Sequence, residues 1–181
     1  MDTITMDEFK GRVEAADNNV RTLTEYEPSM PKVILYLSMS AALDCADAED
    51  PDEAIATDLD IIGRIADLMG TIKDERDIGM YKFDNEPVLD DDEWLEMFLD
   101  AQGFLEDVIK AHVDEYGDST EEERITAFTE TSNSIVYMCA SACSSCDDIP
   151  RALKFCRSSI ERTHRYITEE CALVPKDEIE N

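Results

Sequence analysis

Positive charge is what this chain lacks most: sixteen lysines and arginines stand against forty-four aspartates and glutamates, a formal net charge of −28 over 181 residues. A surface so poor in cations repels nucleic acid and anionic membranes, so direct binding to either is not expected. Glycine and proline are scarce, six of each, which excludes a collagen-like or low-complexity chain. They fall between periodic segments, where helix breakers belong. Long apolar runs are missing as well. The longest, Val33 to Leu43, is about half of what a membrane span needs, and Ser38 and Ser40 interrupt it. Met1 to Glu8 carry no basic n-region, apolar h-region or small-residue cleavage site, so no export is indicated. Six cysteines without such a signal argue for free thiols in a reducing, cytoplasmic compartment.

What is present is a folded chain. At 43% hydrophobic residues, set at helical spacing, it has enough apolar surface for a core inside an acidic shell. The charge far exceeds the roughly 2–8 units that solubility asks of a small domain, so it points to a basic partner; adaptation to high salt is the other source of such a composition.

The pattern predicts an all-α bundle of about six helices. The first spans Met6 to Tyr26 and ends at Pro28 and Pro31. The second, Lys32 to Ala46, is apolar nearly all round and therefore central. A third opens at Pro51 and ends before Gly79; residues 79–90 form a linker with Pro87. Asp90 to Glu93 open a fourth helix reaching Tyr116. Ser119 or Thr120, with Glu122 or Glu123, reads as a capping box for a fifth helix to about Cys146. Asp148 and Pro150 open a sixth running to about Cys171, and 175–181 is a frayed tail.

An internal similarity organises these helices. Tyr36 to Asp47 can be laid on Tyr137 to Asp148 with five identities, and in each case a proline, Pro51 or Pro150, opens the next helix. Duplication of a three-helix unit, residues 1–78 and 91–174, would explain this within one compact domain.

Several patterns carry possible chemistry. Cys139, Cys143 and Cys146 have the spacing that radical enzymes using S-adenosylmethionine place around an iron-sulfur cluster. Here they continue a helical stripe through Ile125, Phe128, Ser132 and Ile135, so core packing is the favoured role. With Cys156 they form the alternative metal set, a structural zinc or iron-sulfur site; the expectation is no metal and no cofactor. Glu161-x2-His164 has the spacing of a di-iron helix motif, but the second copy is missing, because Ile109 stands three residues before His112. Glu93-x2-Glu96 with Glu115-x2-Asp118 is similar to the magnesium carboxylates of all-helical nucleotide pyrophosphohydrolases, a metal-dependent class.

The sixth helix reverses the charge: from Pro150 to Tyr166 five basic residues meet one acid, for +4. Its Arg157 and His164 resemble the Arg-x4–6-His pattern of HEPN ribonucleases, which implies catalytic roles for those two residues and a dimeric enzyme. The fourth helix does the opposite. Glu93, Glu96, Asp100, Asp107 and Asp114 form one acidic stripe opposite a core stripe of Leu95, Phe98, Leu105, Ile109 and Tyr116. Successive turns space the carboxylates by roughly 5 Å.

The leading expectation is a non-catalytic protein whose acidic face, with these five residues as the partner-binding set, occupies a basic surface of another protein, one that ordinarily binds nucleic acid. In composition alone it resembles antirestriction, anti-CRISPR and other DNA-mimic inhibitors, and some antitoxins. A homodimer is left open.

Overall fold

Each helix begins where a side chain can close its first turn. In the computed structural model, which describes residues 4–75, 80–116 and 120–170, α1 (Met6–Tyr26) opens on a reciprocal box: the Glu8 amide donates to Thr5 Oγ1 and the Thr5 amide to Glu8 Oε2. The same device, Thr120 with Glu123, opens α5 (Glu121–Ser144). Single aspartates cap the others. Asp50 accepts from Glu53 N (3.1 Å) ahead of α3 (Pro51–Glu75), Asp90 from Glu93 N (2.9 Å) ahead of α4 (Asp91–Tyr116), and Asp148 from Arg151 N (3.0 Å) ahead of α6 (Ile149–Arg165).

Helix α2 (Met30–Ala46) starts one half-turn before the expected Lys32, because Pro31 fits a first helical turn and Ser29 remains extended. Helix α6 stops short of Cys171 as an α-helix and passes into a π-helical turn, Tyr166–Glu170. Cys171, Gly117, Ser119 and the 175–181 tail lie outside the described residues. Among the described residues there are six α-helices, one isolated β-bridge and no strand, and no helix is long and apolar enough to cross a membrane.

The bridge explains an early stop. Tyr81 N donates to the Ser145 carbonyl (2.7 Å) and Asp147 N to the Tyr81 carbonyl (2.8 Å), so the chain beyond α5 pairs with the linker and α5 ends at Ser144 instead of Cys146. The linker is docked throughout this stretch. Phe83 is buried edge-on to Phe155 (centroids 5.7 Å apart), its amide donates to Asp147 Oδ1, and the Arg151 guanidinium lies over its ring while donating to its carbonyl (2.7 Å).

Helices α2 and α5 form the centre, each packing against all five others. The most extensive packing joins α2 to α6 and α3 to α5. Exchanging α1, α2, α3 for α4, α5, α6 reproduces this pattern: α1 lies on α5 as α4 lies on α2, and α2 meets α3 to the same extent as α5 meets α6. The strongest interfaces thus run between the two sequence-similar segments. Both central helices are buried over most of their circumference, with Val33, Ile34, Leu37 and Met39 on α2 and Cys139, Ala140, Ala142 and Cys143 on α5 fully enclosed.

Two stripes differ from expectation. On α4 the core seats belong to Trp94, Met97, Phe98, Ala101 and Leu105, while Leu95 faces outward with the 57%-exposed Leu99. On α5 the first turns bury only Ala127, which leaves Ile125 and Phe128 exposed although they share the cysteine stripe.

Candidate functional site: an acidic face and a carboxylate-lined cavity

The outward side of α4 follows from its inward side. Trp94, Phe98 and Tyr166 pack ring to ring, Trp94 stacked on Phe98 and Tyr166 edge-on to both, and Leu35, Met39 and Ile167 complete this second core cluster. With that face held, Glu93, Glu96, Asp100 and Asp107 all stand exposed on the far side; the side chain of Asp114, and Glu115 and Asp118 of the magnesium-type pattern, lie outside those described. Tyr36 reports the local field. Its hydroxyl donates to the Asp100 carbonyl (3.2 Å), and burial, followed by the charges of Asp100, Glu27 and Asp107, pushes its pKa up to about 12.

The four ion pairs among the described residues are Arg64–Asp60, Lys73–Asp17, Arg151–Glu86 and His164–Asp52, and none involves the α4 stripe. The basic residues of α6 are partly engaged elsewhere: Arg151 on Phe83 and Glu86, and Arg162 over the Trp94 ring at 5.3 Å.

Arg157 and His164 come together. Both line a cavity of about 560 Å³ with Asp52, Glu161 and Arg165, where α6 faces the start of α3, and His164 Nδ1 lies 3.7 Å from Asp52 Oδ1. His112 is elsewhere, its Nδ1 2.9 Å from Thr131 Oγ1.

The cysteines divide differently from the expected set of four. Cys139 and Cys143 donate toward Cys156, whose sulfur also lies 3.4 Å from Ser38 Oγ, all deep in the core. Those hydrogen bonds, and then burial, push the Cys139 and Cys143 thiols well above the ordinary range, while the same bonds draw Cys156 below it. Cys146 stands apart, donating to the Ala142 carbonyl (3.4 Å), with burial pushing it up to about 12. Among the described residues no group of three or more Cys, His, Asp or Glu is arranged to hold a metal ion.

Two buried polar clusters are not evident in the sequence. Lys73 closes the C-terminus of α5, with Nζ donating to Ser144 Oγ (2.9 Å), Ser145 Oγ (2.7 Å) and the Ser141 carbonyl (3.4 Å) and lying 3.5 Å from Asp17 Oδ1. Burial lowers its pKa while Asp17 opposes the shift. Every proton of this ammonium has a partner, as a structural cap requires.

The second cluster is not satisfied. A cavity of about 740 Å³ where the end of α2 faces α3 and α5 is lined by Asp44, Glu49, Asp50, Glu53 and Asp58, together with Cys45, Phe128 and Ser132. Asp44 is only 4% exposed; its Oδ2 accepts from Ser132 Oγ (2.5 Å), and its Oδ1 has no hydrogen-bond partner. Asp58 Oδ2 accepts from the Cys45 thiol (3.2 Å). Burial, reinforced by Asp58 and Asp47 and opposed by Ser132, pushes Asp44 up to about 6. Burial raises Asp58 as well. The one signal in the sequence was an aspartate inside an otherwise apolar helix. Comparison with known proteins returns no matching family model, no similar curated protein and no similar solved structure.

Proposed function

We propose that this protein is a non-catalytic binding protein that uses its acidic helical surface to occupy a basic, nucleic-acid-binding surface of another protein, as an inhibitor acting by mimicry of charge. The observation that carries this reading is the α4 stripe: Glu93, Glu96, Asp100 and Asp107 are exposed on one rigid helix and enter no ion pair among the described residues. Carboxylates already held in place lose little freedom on binding, and a field of one sign speeds encounter with its opposite. The exposed Leu95 and Leu99 beside the stripe add apolar contact.

Capture of partners from native extract at low and high salt tests the reading. A nucleic-acid-binding protein should be recovered at low salt and compete with its own nucleic acid. Changing Glu93, Glu96 and Asp100 together to lysine should weaken its capture by at least about a hundredfold, since six units of charge change at the interface, and should flatten the salt dependence. Unaltered affinity would remove the stripe from the interface, and recovery of RNA in place of protein would overturn the reading.

A second reading rests on the meeting of Arg157 and His164 in one cavity with Glu161. An imidazole and a guanidinium so placed can serve acid–base cleavage of RNA. Single-stranded RNA incubated with the protein at low salt should then be cut, and Arg157→Ala and His164→Ala should each abolish cutting without unfolding the chain. No cutting, or cutting unchanged in both variants, ends this alternative.

A further inference from the structure

The Asp44 cavity carries an inference that rests on the binding-protein reading above and gives it an anchor point. Five carboxylates line the cavity and no lysine or arginine does. Asp44 is more than nine-tenths buried, and one of its oxygens lacks a hydrogen-bond partner. A buried carboxylate oxygen with no donor is costly to keep. The wall of the cavity is therefore one half of an ion pair.

The chemistry of the missing half follows from the lining. The described carboxylates are not arranged to hold a metal ion, and the space, about 740 Å³, is far larger than a metal needs. An ammonium is a compact and strongly hydrated charge that gains little from an aromatic wall. A guanidinium is planar, weakly hydrated, carries five donors and stacks on aromatic rings. Two separate carboxylates, Asp44 and Asp58, with the exposed ring of Phe128 on the same cavity, match that group. Ile125, exposed one turn before Phe128 on α5, extends an apolar margin suited to a residue flanking the arginine, which points to a side chain of a protein and not to the free amino acid.

We propose that an arginine side chain of the partner protein enters this cavity and pairs with Asp44 and Asp58 against the ring of Phe128.

The test uses the whole chain, isotopically labelled, titrated at low salt with acetyl-Gly-Arg-Gly-amide and with its lysine and citrulline counterparts, and followed by amide chemical shifts. The arginine peptide should shift residues 44–58 and 128–132 saturably, the lysine peptide more weakly and the citrulline peptide not at all. Asp44→Asn and Asp58→Asn should each weaken arginine binding at least about tenfold, and Phe128→Ala should narrow the preference for arginine over lysine. Shifts that spread over α4 instead, fail to saturate, or survive both asparagine substitutions overturn the proposal. Partner capture separates it from the broader reading. If the double variant Asp44→Asn, Asp58→Asn captures as well as the parent while reversal of the α4 stripe abolishes capture, the cavity is not the anchor and the acidic-face reading stands. If neither change matters, both fall.

Discussion

Replacing Asp44 by asparagine is expected to stabilise the protein above about pH 6 and to leave it nearly unchanged at about pH 4. The sign follows from where the proton sits. Burial holds the folded pKa of Asp44 near about 6, against about 3.9 in an unfolded chain. Between those values the folded state keeps a proton that the unfolded state has released, so stability falls as pH rises through the window, and the loss is complete above it. Asp58, facing it from α3, is raised by burial in the same direction, and Asp47 adds like charge. Two pKa units correspond to about 3 kcal/mol. An asparagine amide that finds no new acceptor returns part of this, which leaves a gain of about 1–2 kcal/mol. For a chain of this size that is a rise in melting temperature of roughly 2–8 °C. Thermal unfolding of both proteins from about pH 4 to about pH 8 measures it, and parallel profiles would show that Asp44 does not titrate in this range. A binding protein that gives up stability to hold an unpaired carboxylate fits the general tendency of functional sites to be locally destabilising.

The largest loss is expected from Leu37→Ala. Leu37 is 0% exposed and lies on α2, which meets every other helix, so the surroundings cannot collapse into the space without disturbing several interfaces at once. Buried leucine truncations cost about 3–5 kcal/mol when the cavity persists, a large part of the roughly 5–15 kcal/mol that holds a domain together. Urea unfolding should show a midpoint far below that of the parent at similar slope. Val88→Ala, at a side chain 94% exposed, is the matched control and should change stability by less than about 0.5 kcal/mol. Equal effects at the two sites would mean that α2 is not the organising element.

The central place of α2 was legible because Val33 to Leu43 is apolar on every side, and only a helix enclosed by others can be so. The boundaries of α4 and α5 were legible from their caps, since Asp90 and Thr120 with Glu123 announce a first turn by local chemistry alone. The end of α5 was not, because it is decided by Tyr81, more than sixty residues earlier in the chain, which pairs with Ser145 and Asp147. Leu95 illustrates another limit. It sits at the edge of the apolar arc of α4, and whether an edge residue is buried depends on the neighbour, here the Trp94–Phe98–Tyr166 cluster that takes the seat one residue earlier. On the acidic face, the exposure of Glu93 to Asp107 follows from helical period, so those residues could be named in advance. Asp44, Asp58 and Lys73 could not. Each lies on a helix whose own pattern says nothing of the serines and carboxylates that other helices bring to it.

The crossed packing has a consequence for how the chain holds itself together. Because α2 leans most on α6 and α3 on α5, the two sequence-similar segments relate to each other as subunits of an obligate dimer joined end to end. Neither buries its main apolar face within itself, so each is the other's folding template. The linker then acts chiefly through effective concentration, turning a bimolecular assembly into a unimolecular one. The three-helix unit would be, in these terms, a former protomer that has kept its interface and lost its independence.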